Sequence, residues 1–157
     1  MRIRHQLRTP CQLRRARICD HGTADLRTHV PEVRSHRAAG VLVAADRNSR
    51  AVWADHRVRL EAGIIPVVPA PVIAQVSRSP SQVQLRRLLR GCDINPLTEQ
   101  QAHAAGELMG RAATRDITDA VVARTAADLH ADVITSDHAD IHHLLQTASA
   151  TSHIIDI

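Results

Sequence analysis

The chain contains no phenylalanine, no tyrosine and no lysine, and Trp53 is its single residue of the Phe, Trp and Tyr class. Its core must therefore be Val, Ile, Leu and Ala, the mixture expected where helices pack on a buried parallel sheet. The shortage of aromatics argues against base stacking of the RRM or OB-fold sort. Without lysine, all twenty basic residues are Arg, whose planar fork donates bidentately to phosphate. A G+C-rich coding sequence that replaces Lys by Arg throughout accounts for the same fact. Cys11, Cys19 and Cys92 are odd in number and irregularly spaced, so no disulfide framework is expected and a reducing cytoplasm is the default compartment. No run approaches the roughly 18 apolar residues of a membrane span, so no membrane partner is expected. The N-terminus has charge but no apolar h-region, so no secretory signal is expected either.

What is present is unevenly distributed. The 157 residues leave room for one domain with a short appendage. A formal charge of +4 and a pI near 10.1 suggest a nucleic-acid binder until the charge is mapped. Residues 1–37 hold nine Arg against Asp20, Asp25 and Glu32, a net of +6, whereas residues 38–157 hold eleven Arg and thirteen acids, a net of −2. The basic character thus belongs to the first quarter alone. Residues 1–37 also lack strand alternation or a lasting helical stripe, and Pro10 and Pro31 interrupt them. They read as an irregular basic extension, and residues 38–157 as one α/β domain.

From Gly40 onward periodicity takes over. VLVAAD (41–46) is an apolar run, and AVWADHRVRLEAG reads as a helix ending at Gly63. IIPVVPA (64–70) is a short buried strand, and Pro71 suits the first turn of the next helix. Ser81 is a candidate cap for SQVQLRRLLRG, with Leu85, Leu88 and Leu89 on one face and Arg86, Arg87 and Arg90 elsewhere. CDINPL is a brief strand, and Thr98 with Gln101 forms a capping-box pattern ahead of a stripe of Ala105, Leu108, Met109 and Ala112. A helix over 116–130, a strand DVITSD (132–137), a helix ADIHHLLQTA and a closing strand HIIDI (153–157) complete the alternation. Alternating helices and short β-branched strands argue for a parallel sheet covered on both faces, a three-layer α/β/α sandwich.

Two acidic clusters fall where such a sheet places function, at strand carboxyl ends and helix amino ends. Asp116 and Asp119 are three apart on a first helical turn, so both carboxylates share a face. Asp137 follows a strand directly, with Asp140 three further on, and Asp46 ends the first apolar run. Each pair can equally serve as an N-cap with a second acid near the helix dipole, together worth roughly 1–2 kcal/mol. Spacing alone leaves both readings open. His138, His142 and His143 place imidazoles at i and i+4, but no Cys or acid at a metal-finger spacing supports zinc. Cys11, Cys19 and His21 have the wrong spacing for a zinc ribbon. Arg86, Arg87 and Arg90 read first as a solvated helix face, with contact to RNA or a partner as the alternative.

The succession AGVLVAADRNSR, VVPAPVIAQVSR, LRRLLRGCDINPL, RAATRDITDAVVARTA and VITSDHADI resembles the PIN-domain nuclease family, in particular actinobacterial relatives of the VapC toxin ribonucleases. The resemblance covers about 120 residues, in the family's order and spacing, and its last two blocks together are the most specific. It implies a five-stranded parallel sheet of order 3-2-1-4-5 and metal-dependent endoribonuclease activity on RNA in a toxin–antitoxin system. It also implies a carboxylate site for Mg²⁺ or Mn²⁺ and, as partners, an RNA substrate, a small antitoxin protein and a second copy in a homodimer. Carried over by position, Asp116, Asp119 and Asp137 match the family's metal-binding acids, and Asp46 an acidic position of the subgroup. The family's first motif resembles L-D-A-G, yet Ala38, Ala39 and Gly40 stand here, so its first Asp is absent. Gln75 occupies a position where the family often has Glu.

The strand that should precede Ala38 is missing as a pattern too, because VRSHR (33–37) is polar where a central strand should be continuously apolar. The first strand is therefore expected to be degraded, with VRSHR filling the middle of the sheet or leaving it open, and stability is expected to be marginal. A frameshift or misassigned start just upstream of Ala38 accounts for the lost Asp, the lost strand and the charge discontinuity together. An apolar strand ending in Asp-Ala-Gly in the alternative frame of the locus is its expected signature. With the first Asp gone, a non-catalytic module binding RNA or an antitoxin stands as the alternative to an active nuclease.

Overall fold

The computed structural model describes residues 35–157. The basic extension assigned to residues 1–37 therefore lies outside the described residues except for its last three, and those three are part of the sheet. The elements run β1 (Ser35–Arg37), α1 (Ala39–Asp46), α2 (Arg50–Glu61), β2 (Val67–Pro69), α3 (Ala70–Val76) and α4 (Val83–Leu89), then β3 (Asp93–Asn95), α5 (Glu99–Ala112), α6 (Ile117–Leu129), β4 (Asp132–Thr135), α7 (His138–Thr147) and β5 (Ile154–Asp156). The strands form one parallel sheet in the order β3-β2-β1-β4-β5. Helix and strand alternate because each parallel pairing needs a crossover connection.

The chain grows outward from β1 to β2 and β3, then returns to the other side as β4 and β5. The order therefore reverses between β1 and β4, the point beyond whose carboxyl ends open α/β sheets commonly place their sites. Helix α6 lies against β1, β2 and β4, with α5 and α7 packed on it. It can do so because Ala120, Val121, Val122, Ala123 and Ala126 are all buried.

The central strand is the anomaly. Ser35, His36 and Arg37 are each 0% exposed, and they pair with Asp132, Val133 and Ile134 of β4, while His36 also pairs with Val67 of β2. Residues with no apolar character thus occupy the most enclosed position in the sheet, held there by two flanking ladders. Arg37 Nη2 lies 3.3 Å from Asp55 Oδ2 and 3.3 Å from His56 Nδ1 on α2. Among the described residues its Nε and Nη1 find no hydrogen-bond partner, nor does Ser35 Oγ. Burial pulls the Arg37 pKa down from its ordinary value, with Asp55 acting in the opposite direction.

One local reading is completed by the structure and one needs correction. The run over 41–46 is helix α1; Val41, Leu42 and Ala45 are fully buried, and a short helix enclosed on several sides shows no amphipathic period. Ser81 does not cap α4, because its Oγ meets Ser79 Oγ at 2.8 Å and the N-cap position falls to Gln82. Asp46 caps that turn instead, as described below. The remaining signals match, including the reciprocal Thr98–Gln101 capping box. No helix among the described residues is long and apolar enough to cross a membrane.

Candidate acidic site

The region beyond the β1–β4 reversal collects carboxylates from two helix starts. Asp116 is the N-cap of α6, and its Oδ1 accepts from the backbone N–H groups of Thr118 (2.8 Å) and Asp119 (3.0 Å). Asp137 holds the same position on α7, yet its side chain makes no capping bond. Its backbone N–H donates instead to Thr135 Oγ1 at 2.9 Å. The two readings left open by spacing thus divide: the Asp116 carboxylate is spent partly on its own helix, while that of Asp137 is not used as a cap.

Asp119, Asp137 and Asp140 each present a carboxylate oxygen within 4.8 Å of the others. Such a group of like charges is held together at a cost. The Asp119 carboxyl is pushed up to about 6, first by burial and then by Asp116, Asp137 and Asp140. A raised folded-state value means that the folded protein holds this proton more tightly than the unfolded chain does. The stabilisation is complete below the ordinary carboxylate range and is lost as pH rises through about 6. The metal-free protein is therefore expected to gain stability from Asp119→Asn at neutral pH. That gain should shrink on acidification toward pH ~4, a difference that paired thermal melts across the range will measure.

This region is tightly built on the side of β1. A methyl group at Gly40 would fall 2.0 Å from Ser136 Oγ and 3.0 Å from its Cβ, so a side chain here would displace Ser136, and glycine lets α1 approach the β4–α7 connection without that shift. Ala38, buried at 3% exposure, donates its N–H to the Ile134 carbonyl at 3.0 Å. Because Arg37 pairs with Ile134, Ala38 lies level with Thr135, two residues before Asp137. The position where the family motif carries its first acid is thus in this region, and it offers only a methyl group.

Of the acids singled out from sequence, Asp119 and Asp137 converge and Asp116 stands beside them. Asp46 does not join them. It sits at the far end of α1, where its Oδ2 accepts from Gln82 Nε2 at 2.9 Å and its Oδ1 from Leu85 N–H at 3.4 Å. The start of α4 needs an acceptor, and Asp46 supplies it. Asp46 and Gln75 line a separate cavity of about 390 Å³. Asp140 was paired with Asp137 by spacing but not placed among the metal-binding acids; the geometry adds it to the group. The α7 histidines form no three-residue metal cluster among the described residues: His138 Nδ1 bonds Asp156 at 3.0 Å, and His143 Nε2 donates to the Ala112 carbonyl at 2.9 Å. The Cys11, Cys19 and His21 group lies outside the described residues.

All three converging groups are carboxylate oxygens, the hard donor set preferred by Mg²⁺ and Mn²⁺. Their mutual repulsion is of the kind that a cation relieves, so the residues present fit a divalent ion.

Comparison with known proteins agrees with this architecture. The family model of the PIN domain matches residues 39–144. Solved structures of similar fold include VapBC2 from Rickettsia felis bound to a promoter DNA fragment, at 13% identity and TM-score 0.59, covering 80% of this chain and 99% of that one. DNA-bound VapBC from Salmonella typhimurium follows at 12% identity and TM-score 0.58, covering 79% and 98%. A toxin–antitoxin complex from Klebsiella pneumoniae has 18% identity and TM-score 0.53, covering 68% and 88%. At such identities the likeness concerns the fold. No curated protein sequence matches the chain.

Proposed function

We propose, because the chain belongs to the PIN domain family, that it is the nuclease of a VapBC-type toxin–antitoxin pair and hydrolyses RNA phosphodiesters with a divalent metal. The observation that carries this reading is the convergence of Asp119, Asp137 and Asp140 at the sheet's reversal point. Asp119, Asp137 and Asp140 would hold Mg²⁺ or Mn²⁺, which when bound supplies a water of lowered pKa and offsets charge at the scissile phosphate. Asp116 fixes the first turn of α6 through two backbone bonds and so sets the position of Asp119. Thr135 does the same for the Asp137 backbone. The structures of similar fold from three bacteria are toxin–antitoxin complexes, which supports an antitoxin as the protein partner. A second copy in a homodimer and a cytoplasmic setting belong to the same reading.

The deciding experiment is cleavage of structured RNA with Mg²⁺ or Mn²⁺. Asp119→Asn and Asp137→Asn are each expected to lower kcat/KM by about a hundredfold or more, on the order of 3 kcal/mol. Cleavage that neither substitution changes would remove both residues from the mechanism. One observation favours a second reading, a non-catalytic module that binds RNA or an antitoxin: the buried methyl of Ala38 stands where the family motif has an acid. A chain that binds RNA but does not cut it with either metal supports that alternative.

A further inference from the structure

The described domain has a second surface whose chemistry suits a polyanion, on the side built by α2 and α4. Residues 38–90 carry eight Arg against three acids, a net of +5, whereas residues 91–157 carry three Arg against ten acids, a net of −7. The mild overall charge thus conceals a basic stretch, residues 38–90, and an acidic stretch, residues 91–157, that contains the carboxylate site. Around the basic stretch, α2, α4 and the turns flanking them line an open groove of about 710 Å³ that includes Arg50, Trp53, His56, Arg57, Glu61 and Arg87.

The chain's single Phe, Trp or Tyr residue is therefore half-buried in the wall of this groove, not enclosed in the core. Trp53 Nε1 donates to the Ala45 carbonyl at 3.2 Å, fixing the indole plane. The Arg87 guanidinium lies over the ring face, 5.1 Å from its centroid, and the His56 ring meets the indole edge-on at 6.0 Å. Among the described residues Arg50, Arg86, Arg87 and Arg90 are exposed and have no carboxylate partner, while Arg57 is paired with Glu61. An indole held in place beneath a guanidinium that has no carboxylate partner offers one stacking platform once that cation moves to a phosphate.

We infer that this groove is an RNA exosite, in which one unpaired base takes the Trp53 face now covered by Arg87, and Arg87 with Arg50 contacts the flanking phosphates. The inference rests on the RNA-nuclease reading and assigns the face that grips the substrate away from the acidic site. A polyanionic strand would be drawn to this groove by its guanidinium groups and repelled by the acidic stretch, so its affinity should fall with salt.

Trp53 makes the test direct, since indole fluorescence from this chain has one source. The full chain is titrated in EDTA, where no cleavage occurs, with a single-stranded RNA oligonucleotide of mixed sequence. Quenching of Trp53 is expected, along with about a tenfold loss of affinity in Arg50→Gln/Arg87→Gln and a shallower dependence of affinity on salt. Arg111→Gln, on α5, is expected to change neither. Trp53→Phe should bind more tightly than Trp53→Leu, with circular dichroism melts confirming that both are folded. RNA that binds with Trp53 fluorescence unchanged and equal affinity for wild type and the double variant would overturn the exosite. That is also the outcome if a protein partner fills the groove, and Asp119-dependent RNA cleavage in the same preparation would leave the nuclease reading intact. No binding and no cleavage of RNA with Mn²⁺ would overturn both.

Discussion

Ala38→Asp is expected to tighten Mn²⁺ binding by roughly tenfold to a hundredfold and to raise RNA cleavage in step. One further carboxylate near a cation at an effective dielectric of about 20 contributes up to about 4 kcal/mol of attraction, of which desolvation takes back a part. The position is right for it: Ala38 follows β1 directly, lies level with Thr135 and borders the connection that carries Asp137. The sign of the stability effect should depend on metal. In EDTA a fourth carboxylate adds to the repulsion that already raises Asp119, so the variant should melt below wild type. With Mn²⁺ in excess the order should reverse. Titration calorimetry and paired melts check both halves. A variant that binds Mn²⁺ no better than wild type would show that the region beyond β1 does not face the three acids.

Arg37→Leu is the substitution expected to stabilise the fold most. Arg37 is 0% exposed in the central strand with two guanidinium nitrogens unpartnered among the described residues, and replacing a buried ion pair by apolar side chains of similar volume often gains 1–4 kcal/mol. The partner left behind is already provided for. Asp55 accepts from Arg59 Nε at 2.9 Å on both oxygens, and it is partly exposed. His56 is held below its ordinary pKa by burial and then by Arg37, so it should titrate higher in the variant. A rise of several degrees in melting temperature is expected at this chain length. An equal fall would mean that the Arg37 contacts to Asp55 and His56 outweigh the desolvation of the guanidinium.

Residues whose roles are set by near neighbours in the chain were the readable ones. The Thr98–Gln101 box, the leucine stripe of α4 and the alternation from 64 onward each depend on contacts within one element, and each formed as the pattern implied. The strand order came from family resemblance, and the sheet has it. Strand β1 was illegible because nothing in Ser-His-Arg favours an extended buried segment; its conformation is imposed by β2 and β4 on either side. The acids show the same limit. Asp116 and Asp137 have the same local context, a helix start with a second acid three residues on, yet only Asp116 turns its carboxylate to its own backbone. Asp46 could not be separated from the site by spacing, because its partners Gln82 and Leu85 are 36 and 39 residues away.

The central claim is that Asp119, Asp137 and Asp140 form a divalent-cation site on a PIN fold. Its most direct test is the melting temperature of the full chain with and without millimolar Mn²⁺, alongside Asp119→Asn and Asp137→Asn. A cation that binds only the folded protein at a hundred times its Kd adds about 2.7 kcal/mol. Wild type is therefore expected to melt several degrees higher with the metal, and each variant to lose most of that shift. Equal melting temperatures with and without Mn²⁺ in wild type, or an undiminished shift in both variants, would contradict the claim.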